Sequence, residues 1–254
     1  MTLISVHLPK TGGTSFKASL MTHFGDRYRD DYNDQVLCQS RLDRYKTALA
    51  TGAAMAEQGL GDIECVHGHF LPVKYQRLDS VRALTFITWV REPVARMLSH
   101  YDYWRENYDP QTAARHHRQF IEEGWSLEQF CLSEQFRNIY TQYLWGFPLE
   151  RFAFIGITEH YREDMLDFSE RFLSSNLQPR YLNATRQGGS RRIVDPHFLD
   201  KVRDFHAADM HLYQRALQWR RARLQSVLEQ KGKALARESV ALAAIAKHEK
   251  FVLE

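Results

Sequence analysis

The 254-residue sequence is poor in the features that mark several large protein classes. Cysteine occurs three times, at Cys38, Cys65 and Cys131, and never as a C-x-x-C pair. That spacing offers no disulfide framework and no zinc pattern, and it suits a reducing compartment. No apolar run approaches the ~20 residues of a membrane span, so no transmembrane segment is expected. No signal peptide precedes the first apolar run, which makes the cytoplasm the expected location. Charge of one sign is scarce as well: the net charge of +3 gives no argument for nucleic acid as a partner, and instead fits a local basic pocket for an anion. Internal repeats and low-complexity tracts are absent. What remains, 44% hydrophobic and 26% charged residues, is ordinary globular composition with ample material for one sizeable domain and an appendage.

Two common nucleotide signatures are also missing. The chain has no G-x-x-x-x-G-K-[ST] loop and no G-x-G-x-x-G fingerprint. In their place stands Leu3-Ile4-Ser5-Val6-His7-Leu8, followed by Pro9-Lys10-Thr11-Gly12-Gly13-Thr14-Ser15-Phe16. An apolar, β-prone run stops at a proline, passes through two glycines and re-emerges with helical character. A strand, a glycine turn and a helix start form an anion cradle, because the first helical N–H groups and the helix dipole face the turn. Lys10 adds a cation; Thr11, Thr14 and Ser15 add hydroxyl donors. The same Gly12-Gly13 pair also reads as a plain tight turn.

Strands and helices alternate along the rest of the chain. Asp26–Asp34 is polar and reads as a loop, and about 40–58 reads as a helix stopped by Gly59-Leu60-Gly61. Ile63–His67 is a short strand candidate. Leu84–Val90 is continuous, β-branched and aromatic, as expected of a strand buried on both faces. A helix over about Val94–Asn107 follows, with Pro93 in its first turn. Asp109–Glu123 reads as a mobile acceptor-side segment. Phe152–Ile157 is a further buried-type strand, followed by a helix over about Tyr161–Leu173. Gln187–Arg192 is a glycine-broken basic loop, and from Pro196 the chain reads as helix almost to its end. The expected fold is α/β: a P-loop-like three-layer arrangement with a central, mainly parallel sheet flanked by helices, plus a long C-terminal helical extension. The expected division is 1–217 for the main domain and 218–254 for the extension. The mixed-sign charges of that extension suit a solvated helix packing on its own core or on a partner, and make it the candidate contact of a homodimer.

Two further features join the opening loop. Arg91-Glu92-Pro93-Val94-Ala95-Arg96-Met97-Leu98-Ser99 places an arginine at the carboxyl end of a buried strand and a serine about two helical turns on. Ligands of open α/β sheets bind off the carboxyl ends of strands, so Arg91 shares a rim with Lys10, with a fork matched to phosphate. The alternative is a surface arginine beside a helix-capping proline. His67-Gly68-His69 runs off the end of another strand, where a histidine beside a glycine has the reach and the pKa of a general base near neutral pH. Tyr103, Trp104, Arg105, His116, His117, Trp125 and Trp145 are candidates to line an acceptor site.

Pro9-Lys10-Thr11-Gly12-Gly13-Thr14-Ser15 together with Arg91-x-Pro93-x-x-Arg96-x-x-Ser99-x-Tyr101 resembles the paired signature of sulfotransferases that use 3′-phosphoadenosine 5′-phosphosulfate (PAPS). Within that family the sequence looks like the carbohydrate sulfotransferases of the heparan-sulfate 2-O type and their bacterial relatives. Arg137-Asn138-x-x-Thr141-x-x-Leu144-x-Gly146, Phe154-Ile155-Gly156-Ile157-Thr158-Glu159-His160 and Asp209-x-x-Leu212-Tyr213 resemble later segments of the same group. The resemblance runs from Leu3 to about Leu217 and leaves the tail and Asp109–Glu123 unmatched.

The resemblance implies roles residue by residue. Lys10 would contact the 5′-phosphosulfate and serve in catalysis, with Thr11, Gly12, Gly13, Thr14 and Ser15 cradling it. Arg91 and Ser99 would hold the 3′-phosphate, with a late loop near Gly188-Gly189-Ser190-Arg191 contributing Gly189, Ser190 and Arg191. His69 would be the catalytic base, His67 a supporting residue and Glu64 the reserve base. The implied reaction is sulfuryl transfer from PAPS to a hydroxyl, carried on a small molecule, carbohydrate or other glycan acceptor, with no metal. Two rivals stand beside it. A P-loop kinase is disfavoured by the lysine's place before the glycines and by the lack of an acidic strand end for Mg²⁺. A non-catalytic protein that binds adenosine 3′,5′-diphosphate and uses its tail as a scaffold is the other.

Overall fold

The computed structural model describes residues 1–34, 36–173 and 194–252, with side chains through 230. Five parallel strands form one sheet in the order β2-β3-β1-β4-β5, flanked by helices. Strand β1 (Thr2–Val6) is buried throughout and takes the centre, pairing Ser5 with His67 of β3 (Cys65–Gly68) and with Ile87 of β4 (Leu84–Val90). Strand β5 (Phe152–Ile157) lies beyond β4. The chain leaves β1 in one direction, returns, and then builds out the other way. The carboxyl ends of β1 and β4 therefore border the crevice where such sheets take their ligands.

Helix α1 (Gly13–Phe24) and helix α8 (Tyr161–Phe168, continued by a π-helical turn Ser169–Leu173) cover one face. Phe16, Leu20, Met165 and Phe168 pack there on Leu3, Ile87, Trp89 and Phe154 from the strands. Helix α4 (Pro93–Glu106) starts where the sequence predicts, with Pro93 in its first turn and the Glu92 carboxylate accepting from the Ala95 N–H at 2.7 Å. Met97 and Tyr101 of α4 enter a second core with Phe120, Phe130, Phe136 and Val202. The remaining helices are α2 (Arg41–Gln58), α3 (Val73–Gln76), α5 (Arg115–Glu122), α6 (Leu127–Cys131), α7 (Ile139–Tyr143), α9 (Pro196–Phe205) and α10 (Ala207–Val252). The chain divides into two compact units, Met1–Ala216 and Leu217–Glu254, the second helical through Val252. None of the described helices is long and apolar enough to cross a membrane.

Two expectations need correction. Asp26–Asp34 contains strand β2 (Tyr28–Asp30), a short edge strand that pairs in parallel with β3. Its residues are half-buried or exposed, so no hydrophobic run announces it. Asp109–Glu123 is no open segment either. It contains α5, which buries His117 and sends Phe120 into the second core.

Candidate active site

The turn from β1 to α1 is shaped by its backbone. Thr11 is buried and donates its hydroxyl to Leu8 O at 2.8 Å, which closes the turn. Its hydroxyl proton thus serves the loop and is not held out toward a ligand, unlike the expectation for Thr11. Lys10 and Gly12 both have left-handed conformations, φ 67° and φ 84°. Such a φ is natural for glycine, but for a lysine it costs roughly 1–2 kcal/mol. At Gly13, the first residue of α1, a Cβ would fall 1.7 Å from His7 Nε2. Only glycine lets the imidazole and the first turn of the helix meet so closely.

A cavity of about 550 Å³ opens at the carboxyl rim of the sheet. One wall is Lys10, Gly12, Gly13, Thr14 and Ser15; Arg91, just past β4, and Ser99, within α4, line it too. His69, just past β3, faces it, as do Tyr103 and Trp104 of α4 and Ile139 and Tyr143 of α7. Among the described residues that line the cavity, none is Asp or Glu. Two cations and the start of a twelve-residue helix give the chamber an electropositive lining, the chemistry that suits an anion. Arg91 Nη1 lies 3.5 Å from Lys10 O, so both cations approach one volume.

Lys10 Nζ sits 3.6 Å from the centre of the Tyr103 ring, a cation–π contact. Burial, reinforced by the nearby Arg91 charge, pushes the Lys10 ammonium down to about 8. At pH 7 it is still charged. An anion bound beside it raises that pKa, so above pH 8 binding must first take up a proton. Affinity for adenosine 3′,5′-diphosphate is therefore expected to be flat up to about pH 8 and then to fall by up to about tenfold per pH unit. Isothermal titration between pH 7 and 10 reads this directly; a flat profile across that range would show that Lys10 does not meet the anion.

Three histidines stack beneath the loop. The His7 ring lies 5.1 Å from that of His67 and 4.5 Å from that of His69. His67 is buried in β3, with Nδ1 2.8 Å from Ser5 Oγ, and burial pushes it down to about 3. It is a neutral packing residue. His69 donates from Nδ1 to His7 O at 2.7 Å, because a carbonyl only accepts. The neutral ring therefore carries its lone pair on Nε2. Burial lowers the His69 pKa, partly opposed by that bond to His7.

Glu64 has no part in this site. It precedes β3 at the amino end of the sheet, where Leu3 N–H donates to Glu64 O at 2.8 Å, and its carboxylate pairs with Arg27. Of the candidate acceptor residues, Tyr103 and Trp104 line the cavity; Arg105, His116, His117, Trp125 and Trp145 do not. His117 and His116 instead donate to Trp104 O and Leu37 O, each at 2.6 Å. The expected late loop with Gly189, Ser190 and Arg191 lies outside the described residues.

Several residues escape sequence reasoning. Thr158, after β5, places its hydroxyl 3.0 Å from both Thr11 O and Val90 O, sharing its one proton between them, and so ties the β1 loop to the end of β4. Glu159 accepts from Glu92 N–H at 2.9 Å. Tyr140 of α7 bonds to the backbone of Arg91. The segments that carry them stand out in the sequence only as stretches of family resemblance, without a role.

No protein-family model matches the chain, and no curated protein matches it. Among solved structures the chain is similar to a sulfotransferase from Alicyclobacillus acidocaldarius, with 16% identity, 82% of this chain and 92% of that one covered, and a TM-score of 0.42. It is also similar to mouse sulfotransferase SULT7A1 complexed with PAP, with 14% identity, 82% of this chain and 64% of that one covered, and a TM-score of 0.33.

Proposed function

We propose that the chain is a PAPS-dependent sulfotransferase that acts on a hydroxyl group, with a carbohydrate or related glycan as the acceptor class. The observation that carries the reading is the chamber that Lys10, Arg91, the start of α1 and His69 line together, with no Asp or Glu among the described lining residues. Its donor set fits a ligand with two phosphate ends. Lys10 and the backbone of Gly12–Ser15 suit one end, and the Arg91 fork with the Ser99 hydroxyl suits the other. When bound, PAPS supplies an activated sulfuryl group and a phosphate leaving group. His69 Nε2 takes the proton from the acceptor hydroxyl, so that its oxygen becomes the nucleophile. Lys10 holds positive charge where negative charge grows, and the rigid turn keeps it there without reorganisation. Positioning and electrostatics account for the catalysis, with no covalent work assigned to the protein.

Calorimetry with adenosine 3′,5′-diphosphate against ATP–Mg²⁺, followed by transfer from labelled PAPS to a panel of sugar and non-sugar alcohols, tests the reading. Preference for the 3′,5′-diphosphate with transfer to a sugar hydroxyl is expected. Preference for ATP–Mg²⁺ would replace the reading with a kinase, and diphosphate binding without transfer would leave a binding protein.

A further inference from the structure

The junction that presents Arg91 is held by side chains from distant parts of the chain, and the N–H and C=O groups of Arg91 and Glu92 all have partners. Thr158 Oγ1 donates to Val90 O at 3.0 Å. The Tyr140 hydroxyl accepts from Arg91 N–H at 2.9 Å and donates to Arg91 O at 2.6 Å. Glu159 accepts from Glu92 N–H, and Arg96 N–H donates to Glu92 O at 2.8 Å. A strand-to-helix turn would ordinarily leave such groups to water. Here one phenol holds both sides of the residue whose guanidinium enters the cavity.

Tyr140 is itself held firmly. It is wholly buried, and the Arg96 guanidinium lies 5.8 Å from the centre of its ring. The Asp209 carboxylate accepts from Tyr140 N–H at 3.0 and 3.1 Å and from Thr141 N–H at 3.3 Å, which fixes the start of α7. In return, Asp209 N–H donates to Asn138 Oδ1 at 3.2 Å. His206 completes the bracket: its Nε2–H donates to Cys131 O at 2.8 Å, and its Nδ1 accepts from Asn138 N–H at 3.2 Å. The corner between α9 and α10 thus sets α7, and α7 sets Arg91.

We propose that Tyr140, seated by Asp209, is a positioning residue that holds Arg91 in register with the second phosphate of the ligand. This rests on the proposed function. A phenol is suited to the task because one hydroxyl is both donor and acceptor and can engage the N–H and C=O of a single residue. Phenylalanine would fill the same space and leave both part-buried groups without that partner.

The test is calorimetry with two probes, adenosine 3′,5′-diphosphate and adenosine 5′-phosphate, on the full chain. Tyr140→Phe is expected to weaken the 3′,5′-diphosphate roughly tenfold, the scale of two disturbed hydrogen bonds, and to leave the 5′-phosphate unchanged. In an Arg91→Ala background the same substitution is expected to add nothing, because the group it positions is gone. Where Tyr140→Phe does not fold, Asp209→Asn keeps the size and one acceptor oxygen, and the same selective loss is expected. Equal losses for both probes, additivity with Arg91→Ala, or no loss at all would overturn the assignment. A wild-type chain that ignores the 3′,5′-diphosphate would overturn the proposed function and this assignment with it. The two failures are told apart by which protein shows them.

Discussion

His69→Ala is expected to lower turnover roughly 10²–10⁴-fold while leaving the affinity for adenosine 3′,5′-diphosphate unchanged. The expectation follows from the tautomer. Nδ1–H is committed to His7 O, so Nε2 is the nitrogen with a lone pair, and His69 lines the same cavity as Lys10. The pH dependence has a definite sign. A base works in its neutral form, and burial lowers the His69 pKa below the ordinary histidine value. The rate should hold steady as pH falls through 6.5 and decline only below it. His69→Gln keeps a donor for His7 O but has no basic nitrogen, so it should be as inactive as alanine. An active glutamine variant, or an acid limb above 6.5, would sink His69 as the base.

Lys10→Ala is expected to cost roughly 10²–10³-fold in turnover, the usual effect of removing one preorganised charge donor. Arg91 cannot stand in, because its guanidinium is launched from the end of β4 and its backbone is pinned there. Lys10→Arg is expected to rescue poorly, since a planar fork does not replace a compact ammonium seated over Tyr103. A stability comparison separates function from folding. Residue 10 has φ 67°, a conformation glycine adopts freely and alanine does not. Lys10→Gly should therefore melt higher than Lys10→Ala, and both should be equally inactive. Single-turnover transfer from labelled PAPS and thermal melts read both outcomes; near-wild-type transfer by the alanine variant would falsify the role given to Lys10.

Much of the frame was legible because it is written in burial. The runs that became β1, β4 and β5 are continuous and apolar, and each ends where a proline or polar residue ends it. β2 was not legible: three residues, none fully buried, take their strand character only from the edge of β3. α5 was hidden for a different reason. Its His, Arg and Gln residues suggest solvent, yet His117 and Phe120 turn inward at helical spacing. The loop around Lys10 could be read as an anion cradle because its signal is local. Glu64 as reserve base came only from the resemblance: in the expected strand and in the observed one alike it sits at the amino end of β3, away from the cavity at the carboxyl rim. Tyr140, Thr158 and Glu159 belong to the same junction as Arg91 but lie 49 to 147 residues from their partners, a distance over which sequence pattern is silent.

The central place of β1 also bears on how the chain is made. It comes first among the five described strands, yet its neighbours are β3 and β4, with Ser5 and His67 bonded across 62 residues and Val6 and Thr88 across 82. At roughly 5–20 residues per second, about 3–12 s of translation separate Ser5 from its first partner across 62 residues. During that time an apolar segment with two unpaired edges waits for cover. Non-local parallel pairing is slow even in the finished chain. Chaperone dependence and loss to aggregates during expression should therefore track mutations in β3 and β4 more closely than mutations in β1 itself.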